Sequence, residues 1–359
     1  MAYTTIDDPS EYFHTQLYTG NGSSGLSITN DANAGDFQAD LLWIMPRSNG
    51  DNGVCFDSSR GEDRQLKLNG SDAEDTHSPA RVTFESDGFD LDTTDTNYNG
   101  SSRTYVAWQW KINGGSRTTF SESGANAGGG YQVNTTAGIS IVDYTGTGSS
   151  GATITHGLGA TPEFFVVKGR SIGDSWTCYH HKNTDAPETD MLKLDEAGTT
   201  QDNVVFWNDT APTSSVFTVD GGNGEPKVNQ DGETYISYAF RGIQGYSKFG
   251  SYIGNGNANG PFIYTGFKPA WVLVKASTGS NRDWRMIDNK RDTYNLSTKE
   301  LKPNDNAAEG TSGFQCDLVA NGFKIRTSST SCNDSETYIY LAFAEHPFVS
   351  SEGIPCTAR

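Results

Sequence analysis

The chain has 359 residues, of which 34% are hydrophobic, 19% charged and 11% aromatic. The first two shares are low for a globular chain, but 16 Tyr, 18 Phe and 7 Trp exclude a disordered one and predict thin, aromatic-rich cores. A net charge of -18 without any Lys/Arg cluster excludes an electrostatic nucleic-acid binder and argues against anionic membranes. The N-terminus, Met1-Ala-Tyr-Thr-Thr-Ile-Asp-Asp-Pro-Ser10, has neither the basic nor the apolar region of a signal peptide, so the expectation is a chain left in the cytoplasm that makes it. No apolar run approaches the ~20 residues that span a bilayer, so no membrane insertion is expected.

In chain order the first element is a tight turn, Tyr18-Thr-Gly-Asn-Gly22, and it recurs as Tyr144-Thr-Gly-Thr-Gly148 and Tyr252-Ile-Gly-Asn-Gly256. Each turn is followed by an apolar run that ends near a basic residue. These runs are Phe37-Gln-Ala-Asp-Leu-Leu-Trp-Ile-Met-Pro-Arg47, Pro162-Glu-Phe-Phe-Val-Val-Lys168 and Phe267-Lys-Pro-Ala-Trp-Val-Leu-Val-Lys275. Short runs rich in β-branched and aromatic residues read as strands buried on both faces. A Leu-Lys element comes next, at Leu66-Lys67, Leu192-Lys193 and Leu301-Lys302. Asp87-Gly88 and Asn321-Gly322 then predict type I′ hairpins, and the middle copy carries Phe217-Thr-Val-Asp-Gly-Gly222 instead. An alternating aromatic strand closes each copy, at Tyr105–Trp110, Tyr235–Phe240 and Tyr338–Phe343.

One order of motifs at nearly one spacing, three times over, predicts three copies of a domain of about 100 residues. The expected fold is all-β: three tandem homologous β-sandwich (jelly-roll-like) domains with little helix. The domains are 1–112, 137–244 and 245–359. Residues 113–136, rich in Gly and Ser, read as a flexible linker that lets the first domain hinge.

Candidate chemistry is sparse. Gly20-Asn-Gly-Ser-Ser-Gly25 and Gly146-Thr-Gly-Ser-Ser-Gly151 match the dinucleotide pattern, but no helix is expected after them, so they read as turns with a binding rim as an alternative. Asp90, Asp92, Asp95 and Asn97 offer alternating oxygen ligands, which makes Ca²⁺ the one cofactor to consider. His180-His181 alternate across a strand, so they suit an exposed strand end better than a shared ion. Trp176 and Trp284, in similar polar settings, read as core or, where exposed, as ligand-stacking rings, and Trp207 is a further candidate ring. Cys316 and Cys332 flank a hairpin and read as two thiols, with a disulfide as the alternative. With neither a nucleophile elbow nor a His-Glu-x-x-His motif, an enzyme is not expected.

Several long stretches carry a resemblance. They are the opening Met1–His14, Val133–Val142, Trp207–Phe217, Gly245–Tyr252, Tyr338–Phe348 and the ending Thr357-Ala-Arg359. In these the chain resembles an uncharacterised repeat family of marine bacteriophage virion structural proteins, labelled tail fibre-like or host-specificity proteins. The resemblance implies a protein of the virion surface, assembled in the host cytoplasm. It also implies other virion proteins as partners and, for a receptor binder, a host surface glycan. A homo-oligomer, trimeric or higher, is expected of a phage appendage. A tail-fibre or receptor-binding role comes first. A capsid or tail decoration role is the alternative, and a capsular polysaccharide depolymerase is the least supported.

Overall fold

The computed structural model describes residues 2–31, 36–221 and 227–356. Met1, Gly222 and the Thr357-Ala-Arg359 ending lie outside the described residues. Helix is confined to single turns, such as Thr96–Asn99 and Thr330–Asn333, and every pair of neighbouring strands is antiparallel. The all-β expectation holds.

One strand order recurs three times. In the first unit the opening strand Phe13–Thr19 pairs with the closing strand Thr104–Trp110. That strand pairs with the central strand Leu41–Pro46, followed by Val54–Asp57 and the Leu-Lys strand Arg64–Lys67. The second unit repeats this as Ile139–Thr145, Thr234–Phe240, Phe164–Gly169, Thr177–His180 and Asp190–Lys193. The third has Ser247–Ile253, Thr337–Pro347, Phe267–Ala276 and Arg285–Asp288, with Leu301 bridged to Met286. A small sheet covers one face of each large one: Leu26–Ile28 with Gly88–Leu91, Ala152–Thr155 with Val216–Val219, and Phe262–Tyr264 with Gly322–Ile325.

The other face of all three large sheets is covered by the sheets of the other units. Along the central strands Leu41, Trp43, Met45, Phe164, Val166, Trp271 and Leu273 join one core shared by the three units. The residues between them, Leu42 and Ile44, Phe165 and Val167, Val272 and Val274, fill the separate core inside each sandwich. The closing strands alternate likewise, with Trp108, Tyr238 and Leu341 in the shared core. This is why the central runs are apolar at every position rather than at every second one. It also shows how a chain with few hydrophobic residues folds: one core serves three sandwiches.

Two expectations change. Residues 113–136 carry the strands Thr118–Phe120 and Gly129–Asn134, which extend the second large sheet beyond its opening strand. Asp40 of the first unit accepts the Ile112 and Gly114 amides (2.6 and 3.1 Å), so the segment is tied to both units and is not a loose hinge. Its glycines serve close strand approach, because a Cβ on Gly129 would meet Asp143 O at 2.0 Å. The predicted hairpins form, but their two-residue turns are Ser86-Asp87 and Ala320-Asn321. None of these four residues has positive φ, so the turns are not type I′. Gly88 and Gly322 instead begin the next strand, where a side chain would strike the carbonyl of Ile28 or Ile263.

Candidate functional site

The turns that open the units are built alike. The opening and closing tyrosines are cross-strand partners and stack, with centroids 5.1, 5.0 and 5.1 Å apart for Tyr18–Tyr105, Tyr144–Tyr235 and Tyr252–Tyr338. Asn99, Asn229 and Asn333, all fully buried, hold the turn beside each pair. Their Oδ1 atoms accept the amides of Asn21, Thr147 and Asn255 at 3.0, 2.9 and 2.9 Å. Their Nδ2 groups donate to the carbonyls of Ser23, Ser149 and Asn257 at 2.8, 2.8 and 2.7 Å. The glycines are required here. A Cβ on Gly20, Gly146 or Gly254 would meet a carbonyl oxygen at 2.4, 2.2 or 1.9 Å, while Gly22, Gly148 and Gly256 have φ of +68°, +66° and +65°. The dinucleotide pattern is thus a clamped turn with no helix after it. The turns carry exposed polar residues, among them Asn21, Ser24, Ser150, Asn255 and Asn257.

Equivalent contacts join unit one to two, two to three and three to one. The amides of Glu74, Thr200 and Glu309 donate to the carbonyls of Arg170, Ser277 and Arg47 in the following unit (2.8, 3.3 and 2.9 Å). Arg170 and Arg47 return paired hydrogen bonds to Glu74 and Glu309. Heterologous contacts that close after three copies make a ring with pseudo-threefold symmetry. The basic residues that end the central runs all lie at these junctions. Lys168 Nζ donates to Ser71 O and Asp72 O of unit one, and Lys275 Nζ to Ala197 O of unit two. Burial pushes both amines down to about 8.

Deeper in each junction lies a further equivalent position. Asp57 ion-pairs with Arg60, both fully buried, and accepts the Tyr238 hydroxyl of unit two at 2.6 Å. Asp288 pairs with buried Arg291 and accepts Trp108 Nε1 of unit one at 3.2 Å. In the remaining junction the acid is replaced by His180, and the donor by Leu341. His180 Nε2 donates to Tyr340 O (3.3 Å), and burial pushes its pKa down to about 3.

The candidate residues from sequence are scaffold. Trp176, Trp284 and Trp207 are 0%, 0% and 1% exposed, so they offer no ring face to a ligand. Trp176 Nε1 donates to Lys67 O of unit one and Trp284 Nε1 to Lys193 O of unit two, so both pin the ring together. Trp207 Nε1 donates to Asp190 O inside its own unit. His180 is buried, not at an exposed strand end, while His181 Nε2 donates to Phe249 O at 2.8 Å. Asp90, Asp92, Asp95 and Asn97 do not converge on a point for Ca²⁺. Asp95 caps the Thr96 helix turn and pairs with Arg81, Asp92 accepts Ser24 Oγ, and Asn97 Oδ1 accepts the Asn52 amide. Among the described residues no group of three or more His, Cys, Asp and Glu side chains is placed to hold a metal. Cys316 and Cys332 are buried and not joined by a disulfide; Cys332 Sγ donates to Gly313 O.

The clamp asparagines are absent from the sequence-derived candidates. Their signal was an Asn five or six residues before each closing Tyr. A cavity of about 690 Å³ lies between units two and three, lined by Glu163, His181 and Lys182 on one side and Lys248, Ser251 and Phe262 on the other. A family profile described as a domain of unknown function (DUF7483) matches residues 8–347, a single match across all three units. No curated protein and no solved structure matches the chain.

Proposed function

Starting from the chain's membership of the DUF7483 family, we propose that the protein is a structural component of a bacteriophage particle surface, of the tail-fibre-like or receptor-binding kind. The observation that carries this reading is the closed ring, which holds three like-built, polar, Asn-clamped turns in a fixed arrangement. Rigid, repeated presentation suits weak contacts that gain strength by multiplicity. The particle context rests on the resemblance of the stretches named above to marine bacteriophage virion proteins. The sugar or other receptor on the host surface is the partner this reading assigns to the rim.

The same symmetry supports a second reading, a capsid or tail decoration protein. One chain with pseudo-threefold symmetry fills a threefold position on a particle without needing three copies. Electron microscopy of intact particles labelled with antibody against the chain tests both. Label at tail tips, with purified protein competing for adsorption to host cells, supports the first. Label distributed over the capsid, with adsorption unaffected, supports the second. Label on neither removes both.

A further inference from the structure

Each junction of the ring has an equivalent groove, between the outer edge of one unit's opening strand and the end of a strand in the unit before it. The equivalence rests on backbone bonds: Ser58 N to Asp40 O, His181 N to Glu163 O and Asn289 N to Ala270 O. The three grooves are lined differently. Between units one and two, the chain's own strand Gly129–Asn134 lies in the groove and pairs with Ile139–Thr145. Gln132 reaches across it, its Nε2 donating to Ser58 Oγ and Ser59 Oγ at 2.8 and 2.7 Å. Between units three and one, Asp7, Asp8 and Ser10 line the groove, and Gln16 Nε2 caps the outward carbonyl of Leu17.

Between units two and three no strand among the described residues fills the groove. Its wall is Ser247–Ile253, the edge strand of its sheet. Ser247 is bridged to Ile243, and Phe249 O accepts His181 Nε2. Beyond these, Ser251 and Ile253 occupy the positions of Asp143 and Thr145, which in unit two meet Gly130 and Gly128 O. Ile253, Phe262 and Tyr264 are 70%, 47% and 49% exposed around this edge. Unit two has Thr153 and Thr155 where unit three has Phe262 and Tyr264, and there Asn126 bonds the Thr153 amide. The groove is also locally basic in a chain of charge -18. Lys182 and Lys248 face it with His181, against Glu163, and Lys182 is exposed.

We propose that the Ser247–Ile253 edge is a strand-docking site. It takes an extended acidic segment of a partner polypeptide, which pairs with Ser251 and Ile253 as Gly129–Asn134 pairs with the equivalent edge of unit two. Main-chain bonds supply the affinity, and apolar contact with Ile253, Phe262 and Tyr264 covers surface that is otherwise wet. A carboxylate at the position of Gln132 meets Lys182, which stands where Ser59 receives the glutamine. The site is independent of where on a particle the protein stands, so its test and the localisation test fail separately.

The probes are two labelled peptides, Ala127–Asn134 of this chain and the same peptide carrying Gln132→Glu, titrated into the full-length protein by fluorescence anisotropy. The Gln132→Glu peptide should bind saturably and about tenfold more tightly than its parent, with the difference vanishing at high salt. Ser251→Pro removes an amide that the sheet's own ladder does not use and should weaken binding about tenfold, whereas Ser251→Ala should not. Lys182→Glu should reverse the preference between the peptides, and Ile253→Lys serves if the proline variant does not fold. Absence of binding by either peptide overturns the proposal, as does binding indifferent to both edge variants. A dimer of the chain in sedimentation, abolished by Ile253→Lys, assigns the edge to a second copy and overturns it too. Displacement of the peptide by soluble host glycan assigns the groove to sugar, with the same consequence.

Discussion

Asn99, Asn229 and Asn333 each tie one turn amide and the loop carbonyl beyond it to a buried carboxamide. Removing such a side chain leaves buried acceptors such as Thr93 O and Thr327 O without their donor. Asn333→Ala should therefore cost about 3 kcal/mol in urea unfolding, and Asn333→Asp, which keeps the acceptor but turns a buried carboxylate oxygen toward two carbonyls, should cost at least as much. A markedly smaller loss for Asn333→Asp would show that the donor bonds, to Asn257 O and Thr327 O, are dispensable. His180 carries a pH dependence of definite sign. Its folded pKa, lowered by burial to about 3, lies below the ordinary value of 6.5. Only the unfolded chain takes up a proton between these values. The stability His180 contributes is complete above pH 6.5 and is lost as pH falls toward 3. Within that window wild type should lose about 1.4 kcal/mol per pH unit relative to His180→Gln. A constant difference between the two proteins from pH 7 to pH 4 would remove this account.

At the scale of elements, the junctions decide stability. Asp57 and Arg60 are both fully buried, and Glu74 and the Cys55 carbonyl complete the guanidinium's partners. Asp57→Ala strands a buried charge and should cost about 3–5 kcal/mol. Tyr238→Phe removes one hydrogen bond to the same carboxylate and should cost about 1 kcal/mol. Chemical denaturation of the two variants, at unchanged m-value, measures the gap; equal costs would mean that the ion pair is not what the junction depends on. The His180 junction shows the same logic in a different chemistry. Leu341 cannot donate to an acid, and a neutral imidazole that bonds to backbone stands where the other two junctions hold a carboxylate.

At the scale of the molecule, no unit closes its own surface. Cut at the boundaries expected from sequence, residues 137–244 would expose Phe164, Val166, Tyr238 and Phe240, all of which the shared core buries. The full chain should therefore unfold in one calorimetric transition, while the isolated middle segment lacks a native near-ultraviolet dichroism spectrum. A sharp independent transition of the fragment would show that the units are beads rather than sectors of one body. The family match across residues 8–347 as a single stretch agrees with the sectors.

Local chemistry was legible without a structure. The strands, their order, the double burial of the central runs and the need for glycine in the opening turns all follow from residue type and short-range spacing. Head-to-tail closure was not legible. It joins Arg47 to Glu309 and Trp284 to Lys193, partners far apart in the chain that no periodicity relates. The polar surroundings of Trp176 and Trp284 left core and exposure both open because the covering surface belongs to the preceding unit. The Gly-rich segment after the first closing strand looked like a linker because glycine signals flexibility and close approach alike, and only the neighbouring strand decides between them. Sequence by itself determined that this protein is built from like β units opened by glycine turns, since turns and strands are specified by neighbouring residues. Tertiary structure decided that the units form one ring around a shared core and that the Ser247–Ile253 edge lies beside an open groove, since burial depends on what arrives from elsewhere in the chain.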